Sequence, residues 1–107
     1  MLVQQVLERY RSAYEGLDAR SASAVWPAVN QAALARAFDG LESQALTFSA
    51  CDVQWLTEST ALATCRGSAR YVAKVGSHEP RVEPRTWVFA LRKTANGWTI
   101  ESARAGR

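Results

Sequence analysis

The chain is poor in the residues that build metal centres: one histidine and two cysteines in 107 residues do not supply the three or four converging ligands such a site needs. Its apolar runs are short, Ala61-Leu62-Ala63 being typical, so no stretch approaches the ~20 residues of a membrane-spanning helix. Glycine-rich phosphate loops, repeats, low-complexity tracts and internal linkers are absent. Neither sign of charge dominates: 13 basic residues stand against 10 acidic ones, a formal charge of +3. The basic residues are scattered from Arg9 to Arg107 rather than gathered on one stripe with stacking aromatics, which argues against a nucleic-acid partner. Values of 48% hydrophobic and 21% charged residues exclude disordered, collagenous and coiled-coil chains. The length suits one domain, residues 1–107, burying roughly 60 to 65% of the surface its unfolded form exposes. Met1 leads straight into an amphipathic helix, without a signal peptide. The expectation is a cytoplasmic protein or a domain of a longer chain.

What is present is an order of periods. Up to about residue 41 the apolar spacing is helical, and from there to the end it alternates every second residue. Leu2, Val3, Val6, Leu7, Tyr10, Ala13, Tyr14 and Leu17 form one helical stripe opposite Glu8, Arg9, Arg11, Ser12 and Glu15. Ser21 or Ser23 is expected to cap a short turn at Ala24-Val25-Trp26, stopped by Pro27. Asn30 is the expected N-cap of a third helix that buries Leu34, Ala37, Phe38 and Leu41 and ends at Gly40.

In the second half, Leu46, Phe48 and Ala50 change phase to Cys51, Val53 and Trp55, which predicts a β-bulge near Ser49 to Cys51. A second strand, Ala61 to Val75, carries small residues on one face. Trp87, Phe89 and Leu91 alternate with Thr86, Val88 and Ala90. Asn96-Gly97 predicts a type I′ hairpin turn, which puts Trp98 and Ile100 on the face of Phe89 and Leu91. Helices first and an antiparallel meander second make an α+β domain, N-terminal helices packed on a curved sheet over one core.

Leu7-x-x-Tyr10-x-x-Ala13-Tyr14-x-x-Leu17-Asp18, the break at Trp26-Pro27, Ala37-Phe38, Trp87-x-Phe89-x-Leu91 and Asn96-Gly97-Trp98-x-Ile100 together resemble the nuclear transport factor 2-like superfamily. Its cone-shaped, cystatin-like α+β fold is shared by ketosteroid isomerase, SnoaL-type cyclases and the association domain of calmodulin-dependent kinase. The chain is also similar to small domains appended to bacterial signalling proteins, including serine/threonine kinases. The resemblance implies a non-catalytic ligand-binding, sensory or dimerisation module. The alternative it implies is a small-molecule isomerase, dehydratase or cyclase using Tyr14 and Asp18.

No catalytic residue is assigned, because Trp87, Phe89, Leu91, Trp98 and Ile100 offer no carboxylate where a second acid would sit; no cofactor and no metal are expected. Tyr10, Tyr14, Trp26, Tyr71, Arg85, Trp87 and Phe89 are the candidates for lining a cone that aromatic side chains largely fill, with a small molecule as possible ligand. Arg81, Glu83 and Arg85 continue the face of Trp87 and either hold an anionic ligand or form a salt-bridged strand end. His78, in a Gly-Ser-His-Glu-Pro loop, is expected to be solvated.

A homodimer is expected through the other sheet face, Thr64, Arg66, Ser68, Arg70, Thr86, Val88, Ala90, Thr99, Glu101 and Ala103, with no membrane insertion. With a hairpin loop at 56–60, Cys51 falls opposite Cys65, Val53 opposite Ala63 and Trp55 opposite Ala61. A disulfide there, closing about 15 residues, would contribute on the order of 3 kcal/mol and would place the chain outside the cytoplasm; two reduced, buried cysteines would place it inside.

Overall fold

The computed structural model describes residues 2–106. Three helices, α1 (Val3–Glu15), α2 (Ala19–Val25) and α3 (Gln31–Asp39), precede four strands, β1 (Leu41–Trp55), β2 (Thr60–Ala73), β3 (Arg81–Thr94) and β4 (Gly97–Gly106). The strands form one antiparallel sheet in the order β1-β2-β3-β4, so each strand pairs with its neighbour in the chain. The result is the expected α+β arrangement.

In α1 the apolar stripe buries Val3, Val6, Leu7, Tyr10 and Ala13, while Arg11 on the other flank pairs with both Glu8 and Glu15. Leu17 lies beyond the helix rather than in its stripe. It takes φ 52°, its N–H donates to the Tyr14 carbonyl at 3.1 Å and that of Asp18 to the Ala13 carbonyl at 2.9 Å. This is a Schellman closure with leucine at the left-handed position that glycine usually fills. Gln44 Nε2, from β1, donates to the Tyr14 carbonyl at 3.0 Å and ties this end to the sheet.

The second helix starts earlier than expected and its cap is Asp18, not Ser21 or Ser23. The Asp18 carboxylate accepts the Ser21 N–H at 3.1 Å and the Ser21 hydroxyl at 2.7 Å, which satisfies an orphan donor of the first turn. Asn30 caps α3 as expected, accepting the Ala33 N–H at 3.0 Å. The expected stripe on α3 is reduced to Phe38, with Ala37 exposed and Leu34 and Leu41 half-buried. The reason is that α3 packs chiefly on α2 and meets the sheet mainly at β1.

The bulge falls where the change of phase puts it. Phe48 pairs with Gly67 and Ala50 with Arg66, leaving Ser49 over. A Cβ on Gly67 would lie 1.7 Å from the Thr47 carbonyl oxygen, so the strands approach this closely only over a glycine. Strand β2 ends at Ala73, short of Val75. The β3–β4 turn is not type I′. Among the described residues the only non-glycine with positive φ is Leu17, and Gly97 alone carries the turn's positive φ, 105°, whereas type I′ needs two such residues. Leu91 pairs with Ile100 as the alternation requires, but Ala90 then pairs with Ser102 and Phe89 with Ala103. The extra residue, Glu101, turns Ala103 inward, so Ala103 leaves the outer face to which alternation assigned it and packs on the core.

The core lies between α1 and the inner face of the sheet. Ala63 pairs with Phe89, Cys65 with Trp87 and Ala61 with Leu91, all 1% exposed or less. Small residues on β2 leave room for large ones on β3, which lets the layer fill without overpacking.

Candidate functional site

The space enclosed by the helices and the curved sheet is occupied by rings. Tyr10, 3% exposed, stacks on Tyr14 with centroids 4.3 Å apart, meets the edge of Phe89 at 4.9 Å and lies 6.3 Å from Trp26. Tyr14 meets Phe38 edge-on at 5.1 Å. Phe48, which the sequence reading left out, joins Trp87 at 4.8 Å to Phe89 at 6.1 Å. Alternation from buried Leu46 turns the Phe48 ring toward the core, and the bulge that follows it brings Cys51 onto the same face. Edge-to-face and offset contacts at these separations are the favoured aromatic geometries.

Two other candidates meet elsewhere on the same inner face. The Tyr71 hydroxyl donates to Glu83 Oε1 at 3.0 Å, and Arg85 Nη2 lies 3.0 Å from Glu83 Oε2. Both carboxylate oxygens of Glu83 are thus engaged, and Arg85 is a half-buried, salt-bridged residue. The alternation on β3 exposes the Glu83–Arg85 pair to inspection of the sequence. Tyr71 joins them only because the register sets Ala69 beside Glu83.

Burial pushes the Tyr10 phenol well above its ordinary range, and the neighbouring Tyr14 adds to this, while the Arg85 charge opposes it. Burial also raises Tyr14, partly offset by the Tyr10 hydroxyl. Both phenols are therefore protonated donors at any physiological pH.

The other residues singled out lie apart from this cluster. Asp18 is held below the usual carboxylate range by its hydrogen bonds from Ser21. It lines a surface cleft of about 440 Å³ between α1 and α2, with Arg9, Ser12 and Ser21, whereas Tyr14 packs on Tyr10 and Phe38. His78 Nδ1 is 3.5 Å from Glu42 in an exposed pair. Further clefts, beside Arg11 and Phe48 and beside Val88 and Arg104, are likewise lined by none of the seven candidates. Cys51 and Cys65 stand directly opposite each other with their Sγ atoms at disulfide distance, Cys51 exposed and Cys65 buried. Among the described residues no group of three or more His, Cys, Asp or Glu side chains is placed to hold a metal ion, and no helix is long and apolar enough to cross a membrane.

By sequence the chain matches no family model and no curated protein. By structure it is similar to a protein of the NTF2-like family from Streptomyces avermitilis, provisionally assigned as a dehydratase, at TM-score 0.83 and 17% identity over 96% of this chain and 92% of that one. It is similar to an NTF2-like superfamily protein from Salmonella enterica at TM-score 0.83 and 14% identity, over 97% and 87% of the two chains. A third likeness, TM-score 0.72 at 9% identity over 96% and 83%, is to a protein from Xanthomonas campestris provisionally assigned as a calcium/calmodulin dependent protein kinase II association domain. The chain has the NTF2-like, cystatin-like fold.

Proposed function

We propose that the chain is a non-catalytic module that works by association, forming a homodimer through the outer face of its sheet. One observation carries this reading: the cone interior, where a protein of this shape would hold a substrate, is packed with Tyr10, Tyr14, Phe48, Trp87 and Phe89. The outer face, by contrast, has no helix on it among the described residues, and it presents Thr64, Thr86, Val88 and Ala90, all half-buried within the sheet. A small-molecule ligand, if there is one, is held at the rim by Tyr71 and Arg85. The Xanthomonas association domain supports assembly as a task for this fold. A domain of a bacterial signalling protein, outside the cytoplasm where the Cys51–Cys65 bond persists, is the setting that fits.

Sedimentation velocity tests this. The wild-type chain is expected to run as a dimer at micromolar concentration and Val88→Glu as a monomer; a wild-type monomer at high micromolar concentration overturns the proposal.

A second reading, a small-molecule isomerase, dehydratase or cyclase, is favoured by the protonated phenols of Tyr10 and Tyr14, the former within the field of Arg85, since such donors can stabilise a developing oxyanion. It lacks a base: Glu83 is engaged at both oxygens and Asp18 caps α2. A ligand bound among these rings beside a carboxylate would favour it.

A further inference from the structure

The register across the sheet places charge on the outer face in a way that selects one dimer geometry. Asp52 pairs with Thr64, Thr64 with Val88, and Val88 with Arg104, so these four residues form one row across β1, β2, β3 and β4. Their neighbours Cys65, Trp87 and Phe89 are buried on the inner face, which turns this row outward. An acid therefore ends the row at one edge of the sheet and a base at the other, with uncharged Thr64 and Val88 between them. Within the chain Asp52 makes only a long, solvent-exposed ion pair, 3.8 Å from Arg66, with its own side chain 79% exposed, a contact of the kind that contributes little and gives way to a better-placed partner. Arg104 borders a cleft of about 280 Å³ with Thr86, Val88, Ala105 and Gly106.

We propose that two copies pack outer face to outer face about a two-fold axis parallel to the strands, between β2 and β3, so that Asp52 of each copy pairs with Arg104 of the other. The inference rests on the dimer reading above and specifies its partner geometry. Such an axis keeps each row in place and exchanges its ends, which brings acid onto base twice per dimer. The same operation sets Thr64 over Val88 of the second copy, and in the adjoining row, Gln54-Leu62-Ala90-Ser102, it sets Leu62 over Ala90 and Gln54 over Ser102. Arg66 falls over Thr86 and Arg70 over Val82, so no like charges meet. An in-plane axis across the strands would instead put Asp52 over Asp52 and Arg104 over Arg104, and like charges juxtaposed in an interface are strongly disfavoured. Sheets stacked this way keep their strands within about 30° of each other. Four strands and ten residues give a face of about 19 by 34 Å, on the order of 600 Å² per copy against the ~800 Å² of a standard interface.

Charge reversal tests the geometry. Asp52→Arg alone and Arg104→Asp alone each create two like-charge contacts per dimer and are expected to raise the dimer Kd by about tenfold or more at low salt. Asp52→Arg with Arg104→Asp in one chain restores both pairs and is expected to return Kd to within about threefold of wild type. Both side chains are exposed, and circular dichroism checks that each variant is folded. A wild-type monomer overturns the dimer reading itself. A wild-type dimer that is indifferent to the single reversals, or single losses that the double reversal does not recover, overturns this axis and leaves the dimer standing.

Discussion

Replacing Phe89 by alanine probes the packing that closes the cone. Phe89 is fully buried, its ring edge-on to Tyr10 at 4.9 Å and to Phe48 at 6.1 Å. The neighbours along its own rows are Ala63 and Ala103, which are too short to reach into the vacated space. The surrounding rings are each fixed by a second partner, Tyr10 by Tyr14 and Phe48 by Trp87, so collapse is restricted and a cavity persists. Buried Phe→Ala substitutions cost about 3–5 kcal/mol, and this site belongs near the upper end. With each kcal/mol worth about 4–8 °C for a domain of this size, Tm falls by at least about 12 °C. Urea unfolding with a common m-value measures the loss. Total stabilities of domains are only about 5–15 kcal/mol, so Phe89→Leu, which retains most of the volume, serves as a milder companion expected to lose less. A loss below about 1 kcal/mol for Phe89→Ala would show that Phe89 does not hold the cone closed.

Unfolded, never-reduced protein is expected to show no titratable thiol, and reductant is expected to lower stability by about 3 kcal/mol, the chain-entropy value for closing a loop of this length; two free thiols would contradict the Cys51–Cys65 bond. The raised Tyr10 phenol has a pH signature. Its protonated form is favoured in the folded state, so its contribution is intact below the unfolded value near pH 10 and is lost as pH rises above it, at up to about 1.4 kcal/mol per pH unit. Urea midpoints from pH 8 to 11 check this, and Tyr10→Phe is expected to flatten the decline; an unchanged slope would contradict the burial of that hydroxyl.

Much of this fold is legible in the chain because its signals are local. The stripe from Val3 to Ala13, the cap at Asn30, the stop at Pro27 and the change of phase at Ser49 each need only the period of one element. Even the opposition of Cys51 and Cys65 follows once the loop at 56–60 is set, because antiparallel register propagates from the turn. The misplacements arise where tertiary contact decides. Asp18 reads equally as a turn residue, and only the helix it caps distinguishes the two roles; Ala19 to Val25 buries Ala19, Ala22 and Val25 at helical spacing, but a stripe built mostly of alanine over two turns is a weak signal in a segment rich in serine. The bulge at Glu101 is marked only by the shift from Trp98 and Ile100 to Ala103 and Ala105, and alanine is too weak an apolar signal to reveal it, so plain alternation puts Ala103 on the wrong face. Within the candidate site the aromatic residues are visible as core-facing positions, Phe48 included through its alternation with Leu46, whereas which rings meet, and the Tyr71–Glu83–Arg85 cluster, depend on the register between strands.

The filled cone is tested most directly by crystals pressurised with xenon, which occupies dry apolar cavities. No xenon atom is expected inside the ring of Tyr10, Trp26, Phe48, Trp87 and Phe89 in the wild-type protein, and one is expected there in Phe89→Ala. Ordered xenon within that ring in the wild type would mean an open cone and would contradict the account.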